Sequence, residues 1–263
     1  MANFDLNNFV IDRVLRGVML SHTDDSVMFS INQITNPQLT VSSESTDAVD
    51  AMGVPIQTFY RAKTSEFSAE NALFDLSLMA VQSGADKNVA STTSTVRTPA
   101  FETIDIVEGT ASYNLKHTPV DEVTKIYLLN GDSTLGTVYE LATSASAKNF
   151  ALTGKILTPP TGLKTGEQLF VIYEYEATQA VSVVSSAKNF PTGGKFIMEV
   201  LGTDVCDSTK LLYAYLIFPN FKLSPDFDWN VATDSTHNFS GKAQQEYCDK
   251  NKTLFQLIVP GDE

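Results

Sequence analysis

A mainly β fold with one helix is what this sequence predicts, and three observations carry the prediction. Short apolar runs such as FETIDIV, TVYEL and QLFVIYEY recur between Gly, Pro and Asn turn residues. Charged residues make up only 19% of the 263 positions while Ser, Thr and Asn abound, so the Lys–Glu pairs of solvent-facing helices are scarce. A hydrophobic fraction of 43% is ordinary for a chain that buries a core, and the length suits one large or two modest domains.

Taken in order, Val18 and Leu20, then Val27, Phe29 and Ile31, alternate with polar neighbours about Thr23-Asp24-Asp25, which reads as a hairpin. Asn36-Pro37 marks a break. Residues 41–54 read as an acidic loop holding Glu44, Asp47 and Asp50 and ending in Met52-Gly53. Pro55 allows a strand to start but not to sit centrally in a ladder. Residues 56–67 then read as a strand, with Ile56, Thr58 and Tyr60 on one face and Gln57, Phe59 and Arg61 on the other.

Residues 68–84 carry two patterns. Ala69, Ala72, Leu73, Leu76, Met79 and Ala80 follow helical spacing, whereas Phe74, Leu76 and Leu78 alternate as a strand does. Length, with Ser68 as N-cap and Gly84 just past the end, favours a helix.

Residues 85–99, rich in Ser and Thr, read as a linker and put a domain boundary near Pro99. The short β-like runs over 100–177 predict a sandwich of about seven strands, Ig-like in plan. Further on, KFIMEVL, LLYAYLIFP and TLFQLIVP read as strands, and DFDWNVAT as another with Phe227 and Trp229 on one face. SAKNF occurs at both 146–150 and 186–190, which suggests a shared turn rather than a repeat architecture.

The chemistry is sparse. A net charge of −13 offers no basic surface to neutralise nucleic acid phosphates; solubility alone is the first account of it, and a passage that DNA crosses without sticking is the second. Cys206 and Cys248 form no CxxC pair and read as free thiols in a reducing compartment. The apolar run 211–218 is too short to span a bilayer, and the N-terminus lacks the basic and apolar regions of a signal peptide. The expectation is synthesis in the cytoplasm, no membrane, and solubility until assembly.

His22, His117 and His237 lie in different regions without metal-ligand spacing and read as surface or loop residues. Asp204 and Asp207 flank Cys206, and Asp226 and Asp228 flank Phe227, but neither pair lies in an EF-hand pattern. Gly193-Gly194-Lys195 lacks the upstream glycine and the following Ser/Thr of a phosphate loop, and reads as a hairpin turn. No catalytic residue, metal site or cofactor is expected, and the protein reads as a non-enzyme.

Two stretches carry a resemblance. ITNPQLTVSSESTDAVDAMGVPIQTFYRAKTSEFSAENALFDLSLMAVQSG is similar to the strand–loop–strand–helix core of bacteriophage tail tube (major tail) proteins, with its "D…G.PI" turn and "KT.E.S..NAL" run. FPNFKLSPDFDWNVATDSTHNFSGKAQQEYCDKNKTLFQLIVPGDE resembles the late strands of that family. The resemblance implies a tail-tube-like β-barrel or sandwich core over 1–99 and 178–263, with 100–177 as an inserted, outward-facing β-domain. It implies a virion protein whose hexameric rings stack into the conduit for DNA ejection. Its partners would be other copies and other tail proteins (sheath, terminator, baseplate or tape measure), and DNA would pass without specific binding. Glu44, Asp47, Asp50, Met52, Pro55 and Arg61 become the candidate inter-subunit or inter-ring contacts, and residues 1–16 a second stacking element. A capsid decoration or neck protein at the head–tail connector is the alternative, and a carbohydrate- or receptor-binding β protein comes after it.

Overall fold

The computed structural model describes residues 6, 8–205, 209–229, 232–233, 235–245 and 250–261. Both cysteines and Asp207 fall outside them, and with them the free-thiol expectation. The described residues form seventeen strands and one helix, a mainly β protein. The chain divides into two compact units: residues 1–87 with 183–263, and residues 88–182.

The first unit is built on an eight-stranded sheet. Its strands are β1 (Phe9–Ser21), β2 (Val27–Ile31), β3 (Ile34–Val49), β4 (Pro55–Asn71), β14 (Gly193–Asp204), β15 (Leu211–Leu223), β16 (His237–Ala243) and β17 (Gln256–Ile258). They run in the order β2-β1-β14-β15-β16-β4-β3, with β17 on β15. The sheet is nearly closed into a barrel. Only Asn32 and Gln33 separate β2 at one end from β3 at the other, and a Cβ on Gly17 of β1 would meet Ile34 Cδ1 of β3 at 2.8 Å.

Alternation drives the inner face. In β4, Phe67 and Ala69 point inward while Glu66, Ser68 and Glu70 do not. Phe67 sits amid Phe196, Phe218, Phe221 and Phe239, with ring centroids 5.7 to 6.4 Å apart. Phe218 and Phe221 are three residues apart, which strict alternation forbids on one face. A register shift opposite Gly194 and Phe196 resolves this: a bulge at Pro219-Asn220 turns both rings inward and accommodates a proline inside a strand.

The helix, α1 (Leu76–Ser83), buries Leu78 and Val81 against this core. Its N-cap is Asp75, whose carboxylate accepts the Leu78 N–H at 2.7 Å, and Gly84 closes it in the left-handed conformation with φ of 62°. The expected helix therefore starts later than Ser68. Residues 68–71 stay in β4, because they pair with β16 and bury Ala69 and Asn71.

The second unit holds β6 (Val96–Asp105), β7 (Tyr113–Asn114), β8 (Lys125–Leu129), β9 (Leu135–Leu141), β10 (Asn149–Thr153), β11 (Ile156–Thr158) and β12 (Gln168–Ala177). These seven strands follow the order β6-β12-β8-β9-β10-β11-β7, with β9 and β10 parallel, and are compatible with the expected sandwich. Ile126, Phe150, Leu157, Leu169 and Val171 are fully buried at its centre. The chain passes between units in β5 (Lys87–Val89) and β13 (Val181–Val183), which pair with each other. The linker over 85–99 is thus corrected: β5 lies in it, and Pro99 sits inside β6 opposite Glu174.

Other expectations shift for local reasons. Gly193-Gly194 lies in β14 rather than in a turn, since a Cβ on Gly194 would stand 2.5 Å from the Leu20 carbonyl oxygen. Of the expected strand DFDWNVAT, residues 230 and 231 lie outside the described residues; among the described ones Trp229 forms an isolated bridge to His237 rather than a strand, and Asp226 and Asp228 lie in no strand. Both SAKNF copies do share a turn, in which the Ser146 and Ser186 hydroxyls each accept the N–H of the lysine two residues on at 3.3 Å. β10 takes in Asn149 and Phe150 of the first copy, whereas no residue of the second lies in a strand and β14 starts at Gly193.

Candidate functional site

The acidic segment at 41–54 is not a loop. It is most of β3 and the turn into β4, and the two strands make a long hairpin. Its base belongs to the core: Ile34, Phe67 and Ala69 are buried. Beyond Ser65 nothing in it is buried, on either face, as far as the tip. From the Ser42–Thr64 rung to the turn this bare arm extends roughly 25 Å at about 3.4 Å per residue.

The arm is locally well built. At its tip the Asp50 carboxylate accepts the N–H groups of Met52 and Val54 at 2.8 and 2.9 Å, and the Asp50 and Val54 backbones bond at 2.9 Å. Gly53 supplies the positive φ of 82° that closes the turn. Along the stem Glu44 faces Arg61, Ser45 faces Tyr60, Thr46 faces Phe59, Asp47 faces Thr58, and Val49 faces Pro55. Opposite charges at the first rung favour this register. Three register shifts bend the hairpin, one at Asn36-Pro37, where the sequence suggests a break, one at Ala62-Lys63, and one at Ile56 beside the tip. Ala62 takes a φ of 49°, which costs a residue with a Cβ about 1–2 kcal/mol and marks the bend as a constrained feature.

All six candidate contact residues, Glu44, Asp47, Asp50, Met52, Pro55 and Arg61, therefore lie on one element, distributed between its tip and the distal part of its stem. Neighbouring apolar side chains were not among them. Tyr60 is 74% exposed, Ile56 70% and Phe59 50%, alongside Met52 at 87%. Among the described residues, both edges of the arm are also open. β3 ends the sheet order, and β16 pairs with β4 only from Ser65 to Asn71. A two-stranded ribbon with apolar groups on both faces and unpaired edges is marginal by itself in water and is a template for pairing. Residues 9–16, expected in a terminal arm, instead pair with β14.

Elsewhere the chemistry stays sparse. No group of three or more His, Cys, Asp or Glu could hold a metal ion among the described residues. No helix among them is long and apolar enough to cross a membrane. His22 is exposed at the first turn, as expected, but His237 is fully buried in β16, contrary to the surface reading. Its Nε2 lies 2.7 Å from Gln82 Oε1, its Nδ1 accepts the Asp75 N–H at 3.4 Å, and Phe74 stacks on it at 4.9 Å. It joins β16 to the start of α1, and burial pushes its pKa down despite the opposing charge of Asp75.

A nearly closed sheet, one helix packed on its core and a bare two-stranded arm together define a mainly β protein. The chain belongs to the YomU/Tube protein family, whose family model matches residues 9–258. That membership makes it a phage tube structural protein and a virion component, and it points away from catalysis. No curated protein matches the chain.

Proposed function

We propose that this protein is a tail tube subunit whose copies close into hexameric rings, and that the rings stack into the conduit for DNA ejection. The observation that carries this reading is the arm of β3 and β4. It extends about 25 Å beyond its own core, exposes Tyr60, Ile56, Phe59 and Met52, and has no partner on either edge among the described residues. A neighbouring subunit satisfies those edges with backbone hydrogen bonds and buries the apolar side chains. Asp50, Met52 and Pro55 near the tip reach the next ring, and Glu44, Asp47 and Arg61 line the stem.

The first unit is the tube core, and the second unit, residues 88–182, which contains the β-domain expected over 100–177, is inserted into its chain. An excess of acidic groups, net −13 for the chain, keeps DNA from adhering to the wall. Other tail proteins, such as sheath, terminator, baseplate or tape measure, meet the ends and outside of the tube. Assembly takes place in the host cytoplasm.

Negative-stain electron microscopy of purified protein tests this. Six-fold rings or hollow tubes are expected from the intact chain. A variant with residues 43–63 replaced by a two-residue Asn-Gly turn, which joins the paired residues Ser42 and Thr64, is expected to stay folded and unassembled. Tubes formed equally well by that variant, or an intact chain that is monomeric at every concentration and salt, would overturn the reading.

A further inference from the structure

The second unit contains a buried acid whose only visible work is to hold an exposed loop. Glu102 and Tyr173 are 7% and 5% exposed. The Tyr173 hydroxyl donates to Glu102 Oε1, which also accepts the Lys116 N–H at 2.9 Å, and the Tyr173 oxygen accepts the His117 N–H at 3.0 Å. Burial, helped by the hydrogen bond to Glu102, pushes the Tyr173 pKa up to about 12, so the phenol keeps its proton across the physiological range.

The same loop is pinned at further points. Leu115 N–H donates to the Lys155 carbonyl at 2.8 Å, and Val120 N–H to the Glu174 carbonyl at 2.8 Å. Arg97 bridges the Asp121 and Glu174 carboxylates. Burying a carboxylate is costly, and an apolar pair in the same place would fill the core without that cost. What the arrangement achieves is a fixed backbone under side chains that face water.

Those side chains form a concavity of about 620 Å³, lined by Lys116, His117, Lys155, Tyr175 and neighbouring groups. The His117 ring lies flat on Tyr175, with centroids 3.7 Å apart and planes 6° apart, and its residue is exposed, so the second ring face is open. Two lysines and a histidine line this cavity with Glu176 as its one carboxylate, in a chain whose net charge is −13.

We infer that this concavity is a preformed binding site for a sugar that carries an acidic group. The sugar ring packs on the open face of His117, and its phosphate or carboxylate sits between the Lys116 and Lys155 ammonium groups. A single stacking position and the acidic surroundings disfavour a nucleic acid strand, which needs successive aromatic platforms along a basic groove. The site lies within the second unit and does not rest on the tube reading.

Calorimetric titration of the full chain tests it with five probes: glucose 6-phosphate, a glucuronic acid oligomer, a neutral glucose oligomer, inorganic phosphate and oligothymidylate. Binding of either acidic sugar is expected, weakened tenfold or more in Lys116→Ala/Lys155→Ala and in His117→Ala. The phosphate sugar binding alone, the uronic oligomer alone, or both distinguish the acidic group that is recognised. Inorganic phosphate should bind at least tenfold more weakly than the preferred sugar. All three substituted residues are exposed, and unchanged circular dichroism would show that folding is intact. Equal binding of the neutral oligomer, oligothymidylate binding that depends on the same lysines, phosphate binding as tight as the sugar, or no binding of either acidic sugar would each overturn the inference.

Discussion

Acidification should loosen the first unit through one residue, His237. The Gln82 amide donates to the Asn238 carbonyl at 3.2 Å, so its oxygen faces His237 Nε2, which carries the proton. Nδ1 is then the acceptor of the Asp75 N–H. A second proton on Nδ1 would point at that N–H and put a charge in a fully buried site between Phe74 and Phe227. The folded pKa therefore lies below the unfolded value of about 6.5, and between the two the unfolded chain binds more protons. Stability is full above about pH 6.5 and falls as pH drops, by up to about 1.4 kcal/mol per unit, levelling off below the folded pKa. Over the window from about pH 6.5 to 5, before most carboxylates titrate, the loss is at most about 2 kcal/mol. Trp229 stacks on Phe74 at 4.4 Å and is the chain's one tryptophan, so its fluorescence in urea titrations reports on this cluster. In His237→Gln, stability at pH 7.5 should be lower by about 1–3 kcal/mol. The slope between pH 6.5 and 5 should largely vanish. An identical slope in both proteins would refute the assignment.

Two further outcomes follow from the geometry. Gly84→Ala places a Cβ 2.4 Å from the Phe190 carbonyl oxygen at a φ of 62°, so the first unit should lose about 3 kcal/mol or more in denaturant melts, and a loss under about 1 kcal/mol would show that the backbone yields there. Asp50→Ala removes the one carboxylate oxygen that accepts both tip N–H groups, far from the core, so global stability should hold within about 0.5 kcal/mol while amide exchange at Met52 and Val54 accelerates and tube growth slows.

What could be read ahead of the structure follows from burial. Val27, Phe29 and Ile31, or the run KFIMEVL, announce strands because one or both faces meet a core, and the β class and the capping glycine Gly84 were legible for that reason. Residues 41–49 gave no such signal. Neither face of that strand is buried, so polar Ser, Thr and Asp alternate with nothing, and the strand is visible only through its pairing with β4. His237 was misplaced for the converse reason. A polar residue signals burial only when its partners are known, and Gln82 and Asp75 lie far from it in the chain.

The candidate site divides along the same line. Glu44, Asp47, Asp50, Met52, Pro55 and Arg61 stand out in the amino-acid order as an acidic, glycine-closed, proline-started segment, because turn chemistry is local. That they lie on one bare arm, with Tyr60, Ile56 and Phe59 exposed beside them and two edges open, depends on how far β16 extends along β4. The concavity held by Glu102 and Tyr173 likewise joins residues 71 positions apart. Local chemistry is written in neighbouring residues, whereas burial, free edges and shared cavities arise only when distant segments pack.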